Sequence, residues 1–153
     1  LLAETKGLTV VHLFGGQADF GTRLDIDPVT RPHVVGDAWL PPFAQDSFDV
    51  VILDPPYTRM NAQEKNALFL QAAYIARRRI IWFSTLSLGW APCCRLERVT
   101  FVRTGNMSFV RTLEFFKVVR KPKEQNPHFT RGPAIRYNRW MSQPQGLPFG
   151  ENK

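Results

Sequence analysis

Apolar residues in this chain come in short runs closed by glycine, proline or a carboxylate, which is the pattern of buried strands. Thr9–Phe14 (TVVHLF) is one such run, ended by Gly15-Gly16. Arg23–Asp27 (RLDID) stops at Pro28, and His33–Asp37 (HVVGD) is a third short segment. Phe48–Asp54 (FDVVILD) is the clearest of all, a β-branched run that ends in a carboxylate and then Pro55-Pro56. Runs this apolar suit the middle of a parallel sheet covered on both faces.

One helix follows. Asn61 can cap it, and Glu64 completes a capping-box spacing. Leu68, Ala72 and Ile75 recur at helical spacing, and Arg77-Arg78-Arg79 are expected to close the helix at the negative end of its dipole. Ile80–Ser84 reads as a fifth strand. Leu96–Arg103 and Phe109–Arg120 read as two long strands joined at Gly105-Asn106, hence an antiparallel hairpin. From Lys121 the chain has five prolines and little periodicity, and reads as an extended, adherent tail. The order predicts an open, mostly parallel α/β sheet with ligands at the carboxyl ends of its strands. Parallel crossovers usually need a dozen or more residues. Here the first strand reaches the second in about eight. Either these strand limits are off, or the helices that would cover one sheet face are missing and part of that face is bare, which calls for the tail, a second copy or a protein partner.

Composition narrows the class. The 153 residues suit one domain with a single core, and 44% hydrophobic content excludes wholesale disorder. No apolar run reaches membrane-spanning length and the start does not read as a signal peptide, so an intracellular, cytoplasmic protein is expected. Cys93 and Cys94 are adjacent and form neither a disulfide framework nor a CxxC zinc site, so they read as small buried hydrophobes. No metal is implied. The formal charge of +7 favours polyanion partners, and more than half of the excess falls after residue 120. There Arg131, Arg136 and Arg139 interleave with Phe129, Tyr137 and Trp140, a composition that suits phosphates and unstacked bases or, equally, packing on the sheet.

Val50–Tyr57 (VVILDPPY) resembles the catalytic motif of S-adenosylmethionine-dependent amino methyltransferases, which act on exocyclic amines of adenine or cytosine. The stretch VVGDAWLPPFAQDS before it is similar to the middle of class I methyltransferases generally. The resemblance covers roughly residues 9–120 and implies a Rossmann-like methyltransferase sheet; with the short crossovers this gives a domain of reduced helix content over residues 1–120, followed by a basic extended tail over 121–153. It also implies S-adenosyl-L-methionine as cofactor.

The chemistry of the tetrad Asp54, Pro55, Pro56 and Tyr57 can be argued separately. An aromatic exocyclic amine is a poor nucleophile, because its lone pair is delocalised into the ring. A carboxylate and a carbonyl that accept its two N–H bonds draw the nitrogen toward a tetrahedral shape. Asp54 and the Pro55 carbonyl suit this, the prolines stiffen the loop, and Asp54 stabilises the positive charge that develops on nitrogen. Tyr57 offers a face on which an extruded base can stack. The plain alternative is a strand-ending turn with a core tyrosine.

Asp25, at the end of the second strand, is placed to accept hydrogen bonds from two ribose hydroxyls, as in dinucleotide folds; Asp27 is the fallback. By resemblance, Asp37 takes the adenine amino group of the cofactor and Ala38 flanks the ring. Phe14-Gly15-Gly16 resembles the F-x-G pattern of the cofactor loop, where glycine lets backbone approach the ligand. His12 stands where the family usually carries an acid, and reads as a satisfied strand histidine; Asp19 is a substitute acid for the cofactor's ammonium. Together these point to methyl transfer onto a nucleic-acid base, with adenine N6 in DNA first because the DPPY form resembles the DNA enzymes. The alternatives are a non-catalytic nucleic-acid-binding subunit of a heteromeric complex, and an enzyme acting on an RNA base or a small aromatic amine.

Overall fold

The computed structural model describes residues 2–55, 60–84, 90–103 and 110–125. Its strands are β1 (Val10–Leu13), β2 (Thr22–Asp25), β3 (Val34–Val35), β4 (Phe48–Leu53), β5 (Ala76–Ser84), β6 (Cys94–Arg103) and β7 (Val110–Val118). Two helices, α1 (Leu2–Thr5) and α2 (Ala62–Ile75), accompany them. All seven strands join one sheet in the order β3-β2-β1-β4-β5-β7-β6. The first five are parallel, and β7 lies antiparallel between β5 and β6. The expected parallel sheet with an antiparallel terminal pair is therefore what forms.

The order reverses beside β1, which has β2 on one side and β4 on the other, so a ligand crevice belongs at the carboxyl ends of these strands. The register makes that edge level. Leu13 is opposite both Leu24 and Leu53, and Leu53 is opposite Trp82. Phe14, Asp25 and Asp54 therefore leave the sheet in one row.

The helix α2 starts as its residues dictate. The Asn61 side chain accepts from the Glu64 amide at 2.9 Å, and the Glu64 carboxylate accepts from the Asn61 amide at 2.8 Å. Its end differs from expectation. The helix stops at Ile75, and Arg77, Arg78 and Arg79 lie in β5. They meet carboxylates there: Arg77 and Arg78 reach Asp49, and Arg79 reaches Glu4 and Glu97. Specific acids on β4, β6 and α1 outweigh a diffuse helix dipole. The short strands are shorter than their apolar runs. Asp27 caps a 3-10 turn at Pro28–Thr30, and Asp37 lies beyond β3.

Strand alternation divides the core. Val51 and Leu53 face α2, with Phe69 packed at 5.1 Å from both the Trp82 and Phe116 rings. The half-buried Cys93 and Cys94 are free thiols against this same core, and burial pushes the Cys94 thiol up to about 12. Val50 and Ile52 face the other way, with Ile81, Leu113 and Phe115. On that second face Val50, Ile52 and Ile81 are at most 1% exposed. Part of the cover is the short β1–β2 crossover, where Phe20 packs edge-on to His12 at 4.8 Å. Gly21 then returns against β1 with φ +73, and a Cβ there would sit 3.0 Å from the Val10 carbonyl. An aromatic side chain and a glycine thus do the work of a crossover helix.

Candidate active site

The β1–β3 half of the edge is knit by backbone. The Gly15 amide continues the ladder to the Leu24 carbonyl at 2.8 Å, and a Cβ on Gly15 would lie 2.8 Å from that of Arg23, so no larger residue fits. The Gly16 amide donates to Asp25 Oδ2 at 3.0 Å, and the Asp27 amide to Asp25 Oδ1 at 3.0 Å. Asp25 is thereby fixed, 7% exposed, at the end of β2. Arg23 ties the same loop down by donating to the carbonyls of Gly16 at 3.0 Å and Arg31 at 2.7 Å. Phe14 takes a left-handed φ of 66 to leave β1, a conformation that costs a side chain on the order of 1–3 kcal/mol. Its ring then stands edge-on to Trp39 at 5.1 Å.

Asp37 turns the chain after β3, accepting from the Trp39 amide at 2.9 Å. Burial raises its carboxyl above the usual range, against the lowering effect of that bond. Phe14, Asp25, Asp37, Ala38 and Trp39 line one narrow cleft, with Leu24 and Ile26. Of the six residues expected here, Phe14, Asp25, Asp37 and Ala38 line the cleft, Gly16 orients Asp25, and Gly15 joins the ladder to Leu24.

The donor set fits S-adenosylmethionine. Two carboxylates suit a ribose diol and an aromatic amine, while Phe14, Ala38 and Trp39 supply apolar walls. Asp25 holds two amides, but a carboxylate has about four lone-pair sites, so it can accept more. The indole N–H of Trp39, a residue lining the cleft, is buried without a partner.

The acceptor half is built differently. Asp54 ends β4, two strands from Asp25, which the usual strand spacing puts at about 10 Å. Its side chain is 41% exposed and forms an ion pair with Arg111 of β7. The Arg111 guanidinium also lies 5.3 Å from the centre of the Phe83 ring. Pro55 is buried behind Asp54. Pro56, Tyr57, the Gly105-Asn106 turn and the tail residues Phe129 to Trp140 lie outside the described residues.

His12 corrects one expectation. It is buried on β1 as foreseen, but its Nε2 has no hydrogen-bond partner. Burial holds its pKa down, against the opposing pull of Asp19 and Asp54. Asp19 itself is exposed in the β1–β2 loop.

Sequence reasoning missed Arg23, Trp39 and Arg111. Trp39 follows Asp37-Ala38 directly, so its place was available to a reading of that turn. Arg111 is 57 residues from Asp54, and no local signal links the two.

No protein-family model matches the chain, and no curated protein matches it in sequence. Solved structures do resemble it. The 1,6-didemethyltoxoflavin-N1-methyltransferase of Burkholderia thailandensis, crystallised with S-adenosylhomocysteine, superposes with a TM-score of 0.61 at 9% identity, covering 78% of this chain and 75% of that one. A Pyrococcus horikoshii protein named as a candidate RNA methyltransferase gives 0.59 at 13% identity, covering 78% of each chain. The N-methyltransferase NodS of Bradyrhizobium japonicum, with S-adenosylhomocysteine, gives 0.56 at 10% identity, covering 78% and 82%.

Proposed function

From the Rossmann-like methyltransferase fold that these superpositions establish, we propose that the chain is an S-adenosylmethionine-dependent methyltransferase acting on an exocyclic amine of a nucleic-acid base, with adenine N6 in DNA as its first acceptor. One observation carries the reading. Phe14, Asp25, Asp37 and Ala38 line a single cleft, and Asp54 ends a strand on the same level edge. A fold of this kind places ligands at that edge, but fold alone does not choose the acceptor. The resemblance of Asp54-Pro55-Pro56-Tyr57 to the DPPY motif supports an aromatic amine.

The cofactor supplies an electrophilic methyl group on a sulfonium. The chain's own residues do the rest. Asp25 takes the ribose hydroxyls, Asp37 the adenine amine, and the loop at Gly15-Gly16 lets backbone approach closely. Asp54 and the Pro55 carbonyl accept the two N–H bonds of the acceptor amine and so localise its lone pair. With the cofactor bound by Asp25 and Asp37, its methyl group would pass to that lone pair, the C–S pair remaining with the cofactor. The nitrogen then releases one proton to water, and Asp54 stabilises its charge until it does.

Two of the structural neighbours are named as N-methyltransferases, which agrees with a nitrogen acceptor. Another is named for RNA, so RNA is the first competitor to DNA. A non-catalytic platform is the second reading, favoured by His12 where the family usually carries an acid. Labelled methyl transfer to DNA, RNA and nucleosides tests the first reading. Calorimetry with S-adenosylhomocysteine separates the two: binding is expected of an enzyme, and its absence in the isolated chain favours the platform.

A further inference from the structure

We propose that Arg111 is a specificity-determining residue, which suppresses Asp54 until the phosphate of a nucleic-acid acceptor draws the guanidinium away. The inference rests on the proposed role of Asp54 as the acceptor of the amine.

The geometry sets the problem. Asp54 is the carboxylate placed to stabilise positive charge developing on the acceptor nitrogen, yet Arg111 pairs with it. A carboxylate beside a guanidinium forms a neutral unit. The attraction it offers a nascent cation is opposed by the adjacent positive charge, so the pair does much less than a bare carboxylate. An acceptor that brings only a base meets this neutral unit.

A nucleic acid brings a phosphate as well. Arginine binds phosphate through the same planar fork that it offers to a carboxylate. Exchange of one anion for the other leaves no buried charge unpaired, which keeps the move inexpensive. The neighbourhood suits such an exchange. Arg111 lies at the start of β7, at the same end of the sheet as Asp54, and its side chain is 16% exposed. It stands opposite Val102 of β6. The Phe83 ring gives the guanidinium an apolar, π-bearing surface along which to shift.

The test compares methyl transfer to an adenine-containing single-stranded oligodeoxynucleotide and to deoxyadenosine, by wild type, Arg111→Ala and Arg111→Lys, with circular dichroism to confirm folding. In wild type the oligonucleotide is strongly preferred in kcat/KM. In Arg111→Ala we expect deoxyadenosine transfer to rise several-fold, oligonucleotide transfer to fall, and the preference to drop at least tenfold. Arg111→Lys, which keeps the cation, retains most of the preference. A proportional fall on both acceptors, or no change, overturns the inference while leaving the methyltransferase reading intact. Wild type that methylates neither acceptor, nor an RNA oligonucleotide, defeats both. A wild-type measurement covers the case of unfolded variants. Inorganic phosphate added at constant ionic strength is expected to speed deoxyadenosine methylation, and no acceleration contradicts the exchange.

Discussion

Strand β4 carries an aspartate at each end, and each aspartate meets an arginine. At the amino end, Asp49 is saturated. It accepts from the Thr9 amide at 3.0 Å, the Thr9 hydroxyl at 2.9 Å and Arg77 at 2.8 Å, with its side chain 11% exposed. At the carboxyl end, Asp54 is 41% exposed and pairs with Arg111 at the edge that holds the cleft of Phe14, Asp25 and Asp37. The Thr9 bonds and the Arg77 guanidinium hold Asp49 at about 2, well below the usual carboxylate range. The contrast teaches that an aspartate–arginine pair has no fixed meaning. Held by the Thr9 amide and hydroxyl and by Arg77, it ties neighbouring strands together; at the exposed carboxyl edge, it belongs to the proposed site.

The largest expected effect breaks the chemical end. Asp54→Asn is isosteric and removes the charge that stabilises the developing cation, so methyl transfer should fall by about 10²–10³-fold. Affinity for S-adenosylhomocysteine and the melting temperature should stay near wild type. A variant that loses cofactor binding as well would make Asp54 a structural residue like Asp49.

Asp49→Asn probes the other end. It leaves Thr9 and Arg77 with a poorer acceptor, and a charged hydrogen-bond network of this kind is worth about 2 kcal/mol, or several degrees in Tm, with kcat unchanged. The pH dependence has a definite sign. The folded-state carboxyl is lowered from 3.8 to about 2, so its stabilisation is fully present above pH 3.8 and is lost as pH falls toward 2. Acid unfolding of Asp49→Asn, followed by fluorescence, should lack this component; identical acid profiles would refute the staple.

A smaller effect sharpens the comparison within the cleft. Asp37→Asn removes a charged acceptor and should weaken S-adenosylhomocysteine binding by about tenfold. Burial raises the Asp37 carboxyl, so it gains its proton at a higher pH than an ordinary aspartate. Wild-type affinity should accordingly decline on the acid side before other carboxylates titrate, and Asp37→Asn should flatten that decline. Calorimetric titrations across pH test both.

The two halves of the edge also differ in how far residues betray them. Phe14, Asp25, Asp37 and Ala38 sit at the ends of short apolar runs, and strand alternation with level registers is enough to bring them together. Backbone amides next to them in sequence complete the geometry, as Gly16 and Asp27 do for Asp25. The Asn61–Glu64 capping box was legible for the same local reason. Arg111 was not, because its meeting with Asp54 depends on β7 entering between β5 and β6. The three arginines after Ile75 misled because helix-end and strand cations look alike until Asp49, Glu4 and Glu97 are known to be near. On the second sheet face only the missing crossover helix was legible. Phe20 and its neighbours fill part of that space without any helical periodicity.

The proposed role of Asp54 stands most directly on a paired measurement with wild type and Asp54→Asn: calorimetric binding of S-adenosylhomocysteine, and labelled methyl transfer to an adenine-containing DNA oligonucleotide. It predicts comparable binding by both chains, with transfer confined to wild type. Failure of wild type to bind, or equal transfer by the two chains, would contradict it.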